Sequence, residues 1–196
     1  MTISIKITKL KSHTSHFTTH NSQLTFTTHI SQLTTHISHL TTKNKNMTTL
    51  KKGDKAPNFS GIDQDGNTHK LADYKGKKLV VFFYPKANTP GCTAEACDLR
   101  DNFERFQANN YALLGVSADA AKAQAKFKEK YDFPFPLLAD EDKSVIEAFG
   151  VWGPKKFMGK EYDGIHRTTF VIDENGFIDE VIEKVKTKAH AAQILK

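Results

Sequence analysis

Cys92 and Cys97 are the only thiols in the chain. Both fall in one stretch, Pro85-Lys86-Ala87-Asn88-Thr89-Pro90-Gly91-Cys92-Thr93-Ala94-Glu95-Ala96-Cys97-Asp98-Leu99-Arg100. A secreted disulfide scaffold spreads its cysteines to close long loops, whereas a bridge here would close almost none. A zinc site needs two further ligands and usually a shorter cysteine spacing than the four intervening residues found here. The pair therefore reads as reactive rather than structural. The thiolate is the form of cysteine that attacks, and a helix N-terminus favours it through free N–H groups and the macrodipole.

The flanking residues supply that helix. Leu79-Val80-Val81-Phe82-Phe83-Tyr84 is β-branched and aromatic, as a buried strand is. Leu99, Phe103 and Phe106 follow at helical spacing, and the amphipathic pattern runs to about Asn110. A strand ends, a Pro/Gly/Thr loop turns, and a helix begins with Cys92 in its first turn.

The chain has 196 residues, enough for one ordinary domain, and a net charge of +6. That charge is local. Residues 1–46 hold five lysines, no arginine and no acid, which leaves 23 basic against 22 acidic groups in residues 47–196. So balanced a body gives no reason to expect a nucleic-acid partner. No apolar run approaches the roughly 18 residues of a membrane span, so nothing is expected to span a membrane; no membrane partner and a cytoplasmic setting are the expectations. Residues 1–46 are rich in Thr, Ser and His and contain three near-copies, beginning at Thr18, Thr27 and Thr34. With apolar residues so sparse, a disordered leader is expected, translated from upstream of a start at Met47. Weak metal binding and a transit peptide are rival readings of the leader, and the lack of arginine counts against the second. The globular domain is expected over residues 47–196.

Along that domain, Asp63-Gln64-Asp65-Gly66-Asn67 marks a turn between short strands, and Tyr111–Ser117 is a second buried strand. Asp119 to Tyr131 reads as a surface helix capped by Asp119 and ended by Pro134 and Pro136. The lysines of residues 122–130 read as a solvated face. Leu137-Leu138 starts a short strand and Lys143–Phe149 forms a short helix. Trp152–His166, with three glycines and a proline, is expected to be irregular. Arg167–Ile172 is a strand, Asp173-Glu174-Asn175-Gly176 turns it into a partner over Phe177–Val185, and a helix closes the chain from about Thr187. The order implies an α/β sandwich with a mixed sheet, compatible with the thioredoxin arrangement.

The pattern Pro85-x-x-x-Thr89-x-x-Cys92 resembles the active-site signature of the peroxiredoxins. The longer string Tyr84–Thr93 with Cys97, together with Phe149-Gly150-Val151-Trp152-Gly153 and Tyr162-Asp163-Gly164-Ile165-His166-Arg167, is similar to the bacterioferritin comigratory protein/PrxQ subfamily. The resemblance covers about residues 48–196. It implies a thioredoxin-like fold with a mixed central sheet flanked by helices, and a peroxidase acting on hydrogen peroxide and small organic hydroperoxides. No cofactor and no metal are expected for such a reaction, and a monomer or weak homodimer is implied.

Displacement at a peroxide oxygen needs a thiolate, an O–O bond held in line, and a stabilised leaving oxygen. Cys92 meets the first need. Thr89 offers a hydroxyl, and Pro85 can shape and shield the pocket without competing for hydrogen bonds. The resemblance places the required fixed cation at Arg167; Arg100 is a weaker candidate that an acid on the surface can occupy. The product sulfenic acid condenses with a second thiol, and Cys97 is the candidate in this chain. Residues five apart on an ideal helix are rotated by about 140° with Cα atoms roughly 8.7 Å apart, and a disulfide needs less than about 7 Å. The helix must therefore unwind in each cycle, after which a dithiol reductant such as thioredoxin restores both thiols. Glu95 reads equally as a group near the site or as ordinary dipole complementarity. His166, Trp152 and Phe157 read as loop or packing residues, the two aromatics also lining the pocket. The alternatives are a general thiol–disulfide oxidoreductase or redox sensor on the same fold, whose usual C-x-x-C is absent here, and a binding module that works through the leader.

Overall fold

The computed structural model describes residues 48–157 and 159–196. The expected leader over residues 1–46 lies outside the described residues. The core strand β3 (Lys78–Phe83) is buried on both faces after its first residue, as its unbroken apolar run requires. It pairs in parallel with β4 (Tyr111–Ser117), which pairs in parallel with β5 (Leu137–Ala139). On its other side β3 runs antiparallel to β8 (Thr168–Ile172), itself antiparallel to β9 (Ile178–Ile182). The five-stranded sheet has the order β5-β4-β3-β8-β9, the mixed sheet that the sequence implied.

Alternation along β3 divides the core in two. Leu79, Val81 and Phe83 pack with Leu114, Val116, Phe149, Val151, Ile165 and Phe170 on one face. Val80, Phe82 and Tyr84 pack on the other with Cys92, Ala96, Leu99, Phe106, Phe127 and Ile194. The second face carries the helices α1 (Pro90–Asp101), α2 (Phe103–Ala108), α3 (Ala121–Tyr131) and α5 (His190–Ile194). The first is covered by α4 (Ser144–Ala148) and borders the hairpin of β6 (Trp152–Phe157) and β7 (Lys160–Ile165), while β1 (Ser60–Ile62), whose Gly61 faces Leu138 and Val145, pairs antiparallel with β2 (Thr68–Lys70). Gly115 of β4 is the tight point of the sheet. A Cβ there would stand 2.7 Å from Leu137 Cδ2 and 2.8 Å from Phe82 Cζ.

Several expectations are corrected. The helix read as running from the cysteine to Asn110 is broken at Asn102 (φ −106°, ψ 12°) into α1 and α2; amphipathic spacing persists across such a break because both pieces pack on one face. Asp119 does not cap α3. The cap is Ala120, without a side-chain bond, and Asp119 instead accepts from the Ala87 N–H and the Ser117 hydroxyl. The helix does end at Tyr131, as read, with Asp132 in the left-handed region as its C-terminal cap before Pro134 is reached. Trp152–His166 is not irregular: Trp152–Phe157 and Lys160–Ile165 pair in register as an antiparallel hairpin. Its charged, exposed β7 hides the alternation, Gly159 supplies a positive φ of 79° at the turn, and a two-stranded ribbon tolerates Pro154 because an edge residue needs no N–H partner. The Asp173–Gly176 turn is as read, with Gly176 at φ 87° and the Asp173 carboxylate accepting from the Asn175 and Phe177 N–H groups. Lys122, Lys126 and Lys130 are exposed, the solvated face expected.

Candidate active site

β3 ends at Phe83, and the loop from Pro85 to Thr89 crosses to α1. Two anchors fix it. The Asp119 carboxylate accepts the Ala87 N–H at 2.7 Å, and it is held by the Ser117 hydroxyl at 2.8 Å. Asn88 sits at φ 57°, its side-chain oxygen accepting from Lys130 Nζ at 3.0 Å and the Tyr131 hydroxyl at 3.2 Å. Below the loop, buried Gln124 accepts from the Tyr84 hydroxyl and donates to Ser117 Oγ and the Leu138 carbonyl. Thr89 is thereby delivered in an extended conformation (φ −94°, ψ 152°) as the N-cap of α1. Pro90 occupies the first helical position, where its missing N–H costs nothing. Cys92 is the third residue of the helix, in the first turn, where N–H groups lack intrahelical acceptors.

Cys92 is 2% exposed. Thr89 Oγ1 lies 3.0 Å from Cys92 Sγ and 2.9 Å from the Lys86 carbonyl. One hydroxyl proton serves two acceptors. With a thiol it donates to Lys86 and leaves its lone pair for S–H; with a thiolate it turns to the sulfur. Arg167 Nη2 is 3.2 Å from the same sulfur, and Nη1 pairs with Glu95. Arg167 immediately precedes β8, whose pairing with β3 brings it beside the start of α1. A Cβ at Gly91 would lie 3.4 Å from Arg167 Nη2, so the glycine leaves room for the guanidinium.

Glu95 is fully buried. Burial pushes its carboxyl up to about 7, the Arg167 charge and hydrogen bond pulling the other way. It lies beyond the first turn of α1, so the dipole reading of Glu95 gives way to the reading near the site. Lys155 of β6 donates to the Ile165 carbonyl at 2.9 Å and feels both Arg167 and Cys92. Burial first, and Arg167 second, draw its ammonium below the ordinary lysine range.

Cys97 is half-buried on the same unbroken helix as Cys92, both as free thiols. Burial pushes the Cys97 thiol up. Pro85 is exposed at the start of the loop. Arg100 stands apart from Cys92, on the Asp101 carboxylate and the Tyr131 carbonyl. His166 is half-buried, its N–H donating to the Val151 carbonyl. Trp152 packs on the core under Lys143, and the Phe157 side chain lies outside what is described. Sequence reasoning did not single out Lys155 or His190, which lies behind Glu95. A charged residue fourth along a ribbon strand and a histidine on a short apolar helix carry no local signal. Among the described residues no cluster of His, Cys, Asp and Glu is placed to hold a metal ion, and no helix is long and apolar enough to cross a membrane.

A buried sulfur facing a hydroxyl and a fixed guanidinium is an arrangement for attack by a thiolate with a cation beside the departing charge. The family model described as the AhpC/TSA family matches residues 52–181. The chain is 50% identical over 146 residues to Peroxiredoxin Bcp of Escherichia coli K12, covering 74% of this chain and 94% of that one. It is 49% identical over 147 residues to Peroxiredoxin Bcp of Bacillus subtilis, covering 75% and 94%. Among solved structures it is similar to one concerned with the alkyl peroxide reduction activity of Xanthomonas campestris bacterioferritin comigratory protein. There the TM-score is 0.68 at 34% identity, covering 71% of this chain and 88% of that one. Peroxidoxin BcpB from Mycobacterium tuberculosis gives a TM-score of 0.66 at 38% identity, covering 74% and 94%.

Proposed function

The chain belongs to the AhpC/TSA family, as a peroxiredoxin of the bacterioferritin comigratory protein/PrxQ type, and from that premise we propose how its residues divide the work of a thiol peroxidase. The thiolate of Cys92 attacks the terminal oxygen of a hydroperoxide. The O–O bond breaks with its electron pair on the departing oxygen, which leaves as water or an alcohol after taking a proton, and Cys92 becomes a sulfenic acid. Thr89 and Arg167 hold the reacting oxygens and spread the developing charge, and Pro85 shields the mouth of the site. The Cys97 thiol then condenses with the sulfenic acid, releasing water and forming a Cys92–Cys97 disulfide. A dithiol reductant, with thioredoxin the proposed partner, reduces that disulfide and is itself oxidised.

One observation carries this reading: a buried Cys92 sulfur in a first helical turn, 3.0 Å from the Thr89 hydroxyl and 3.2 Å from the Arg167 guanidinium. Residues 47–196 are the proposed peroxidase body, residues 1–46 a dispensable leader, the protein a cytoplasmic monomer or weak homodimer. The test is NADPH consumption on adding hydrogen peroxide with thioredoxin and thioredoxin reductase, for wild type, Cys92→Ser, Cys97→Ser and a chain lacking residues 1–46. Turnover should vanish with Cys92→Ser, be crippled by Cys97→Ser and survive the truncation. Full turnover by Cys97→Ser would mean a one-cysteine cycle, and direct peroxide loss without NADPH use would mean a different reductant.

A further inference from the structure

Glu95 Oε1 is, among the described residues, the one buried side-chain oxygen or nitrogen left without a hydrogen-bond partner. It is aimed at His190 Nε2, 3.8 Å away, and both side chains are fully buried. An orphaned carboxylate oxygen in such a place is costly, so the local donor pattern bears on what fills the gap.

That pattern is legible from His190 outward. Gln193 Oε1 accepts the Lys186 N–H at 2.7 Å while Gln193 Nε2 donates to the Lys184 carbonyl at 3.0 Å, which fixes the amide orientation. His190 Nδ1, 3.2 Å from Gln193 Oε1, is therefore the protonated ring nitrogen. Neutral His190 then has a bare Nε2 that accepts from the Thr169 hydroxyl at 2.8 Å. An ionised Glu95 would set lone pair against lone pair. A proton added on Oε1 lets Glu95 donate to the Nε2 lone pair once the Thr169 hydroxyl turns away to leave it free, and a proton added on Nε2 gives an N–H that faces the carboxylate; either way donor faces acceptor and the 3.8 Å gap can close.

We propose that Glu95 and His190 share one buried proton, and that His190 thereby acts as a positioning residue, keeping Glu95 from claiming the Arg167 charge that the Cys92 sulfur and the departing oxygen need. Loss of the proton leaves a full carboxylate on Nη1, in competition with the sulfur on Nη2. Burial acts in the same sense on both partners, pushing the Glu95 carboxyl up and the His190 imidazolium down. The other ionisable groups facing the pair and its guanidinium are Cys92 and Asp98 on α1 and Lys155 on β6. Asp98 is already engaged, accepting the Ala191 N–H at 2.7 Å.

The inference rests on the reading of Cys92 and Arg167 given above, and it is tested by two measurements on the full chain. In protein labelled with 13C-glutamate, the Glu95 carboxyl, assigned by its disappearance in Glu95→Gln, should titrate near neutrality. His190→Gln, which replaces the Nε2 lone pair with an amide donor, should move that titration down towards the ordinary carboxylate range. In single-turnover oxidation of Cys92 by hydrogen peroxide, the wild-type rate should fall severalfold between about pH 7 and pH 9. Glu95→Gln, whose amide imitates the protonated carboxyl, should lack that fall. Glu95 ionising along with the surface carboxylates, a midpoint unmoved in His190→Gln, or an alkaline fall retained in Glu95→Gln would each overturn the proposal. The carboxyl titration does not depend on turnover, so a failure of the peroxidase reading, seen as an active Cys92→Ser, is distinguishable.

Discussion

The Cys92 sulfur and the Arg167 guanidinium lie 3.2 Å apart although 75 positions separate them in sequence. The contact depends on β8 being laid antiparallel against β3, so that the residue before β8 arrives where the strand-to-helix loop begins. A thiol and a permanently charged fork are thus joined by the sheet, not by any local motif.

Replacing Arg167 tests that contact. Arg167→Ala should slow oxidation of Cys92 by hydrogen peroxide about 100-fold or more, the scale on which a charge-stabilising donor acts. Arg167→Lys should recover only part of the rate, because a point charge cannot hold the sulfur and Glu95 together. Stopped-flow oxidation in a Cys97→Ser background isolates the step, and a wild-type rate in Arg167→Ala would remove the arginine from the chemistry.

Cys92 and Cys97 stand on one continuous helix, α1. A bridge between them requires that helix to open. Amide hydrogen exchange over residues 92–98 should therefore speed up on oxidation of the wild-type chain and stay slow in peroxide-treated Cys97→Ser. Slow exchange in a form that mass spectrometry identifies as Cys92–Cys97 bridged would contradict the opening.

Stability should carry the signature of Glu95. Its folded carboxyl sits at about 7, above its ordinary 4.5. A raised carboxyl contributes stability that is complete below its unfolded value and is lost as pH rises through the folded one. Between about pH 5 and pH 8 the wild type should lose on the order of a few kcal/mol relative to Glu95→Gln, which cannot ionise. Urea unfolding of both proteins at the two pH values measures the difference; a gap that stays constant or runs the other way would show that Glu95 ionises at least as easily folded as unfolded.

Gly115 gives a test of packing away from the chemistry. A methyl group there would lie under 3.0 Å from both Leu137 and Phe82. Gly115→Ala should destabilise the fold by about 1–3 kcal/mol, the usual cost of overpacking. Thermal unfolding reads this, with Gly176→Ala as a comparison in which only a positive φ of 87° is strained and no neighbour is met.

The parts of the site that lie close in sequence were legible before any fold was known. The apolar run from Leu79 to Tyr84, the Pro/Gly/Thr loop and the apolar spacing after it set a strand, a turn and a helix start, because periods of two and of three to four residues are properties of the local chain. The ribbon from Trp152 to Ile165 escaped notice for the converse reason. It is held mainly by its own backbone pairing, and its exposed charges conceal the period. Arg167 entered the site by resemblance alone, since nothing in Thr168–Ile172 announces a cation beside a thiol.

By itself, then, the sequence determined which residues are candidates for chemistry and that Cys92 lies in the first turn of a helix, because types, spacing and turn signals act over a few residues. Only the tertiary structure decided that Arg167 reaches the sulfur, that Arg100 does not, that Glu95 is buried against His190, and that Asp119 anchors a loop rather than capping a helix. Those outcomes follow from strand order and from which side chains lose their water, and both are set by residues far apart in the chain.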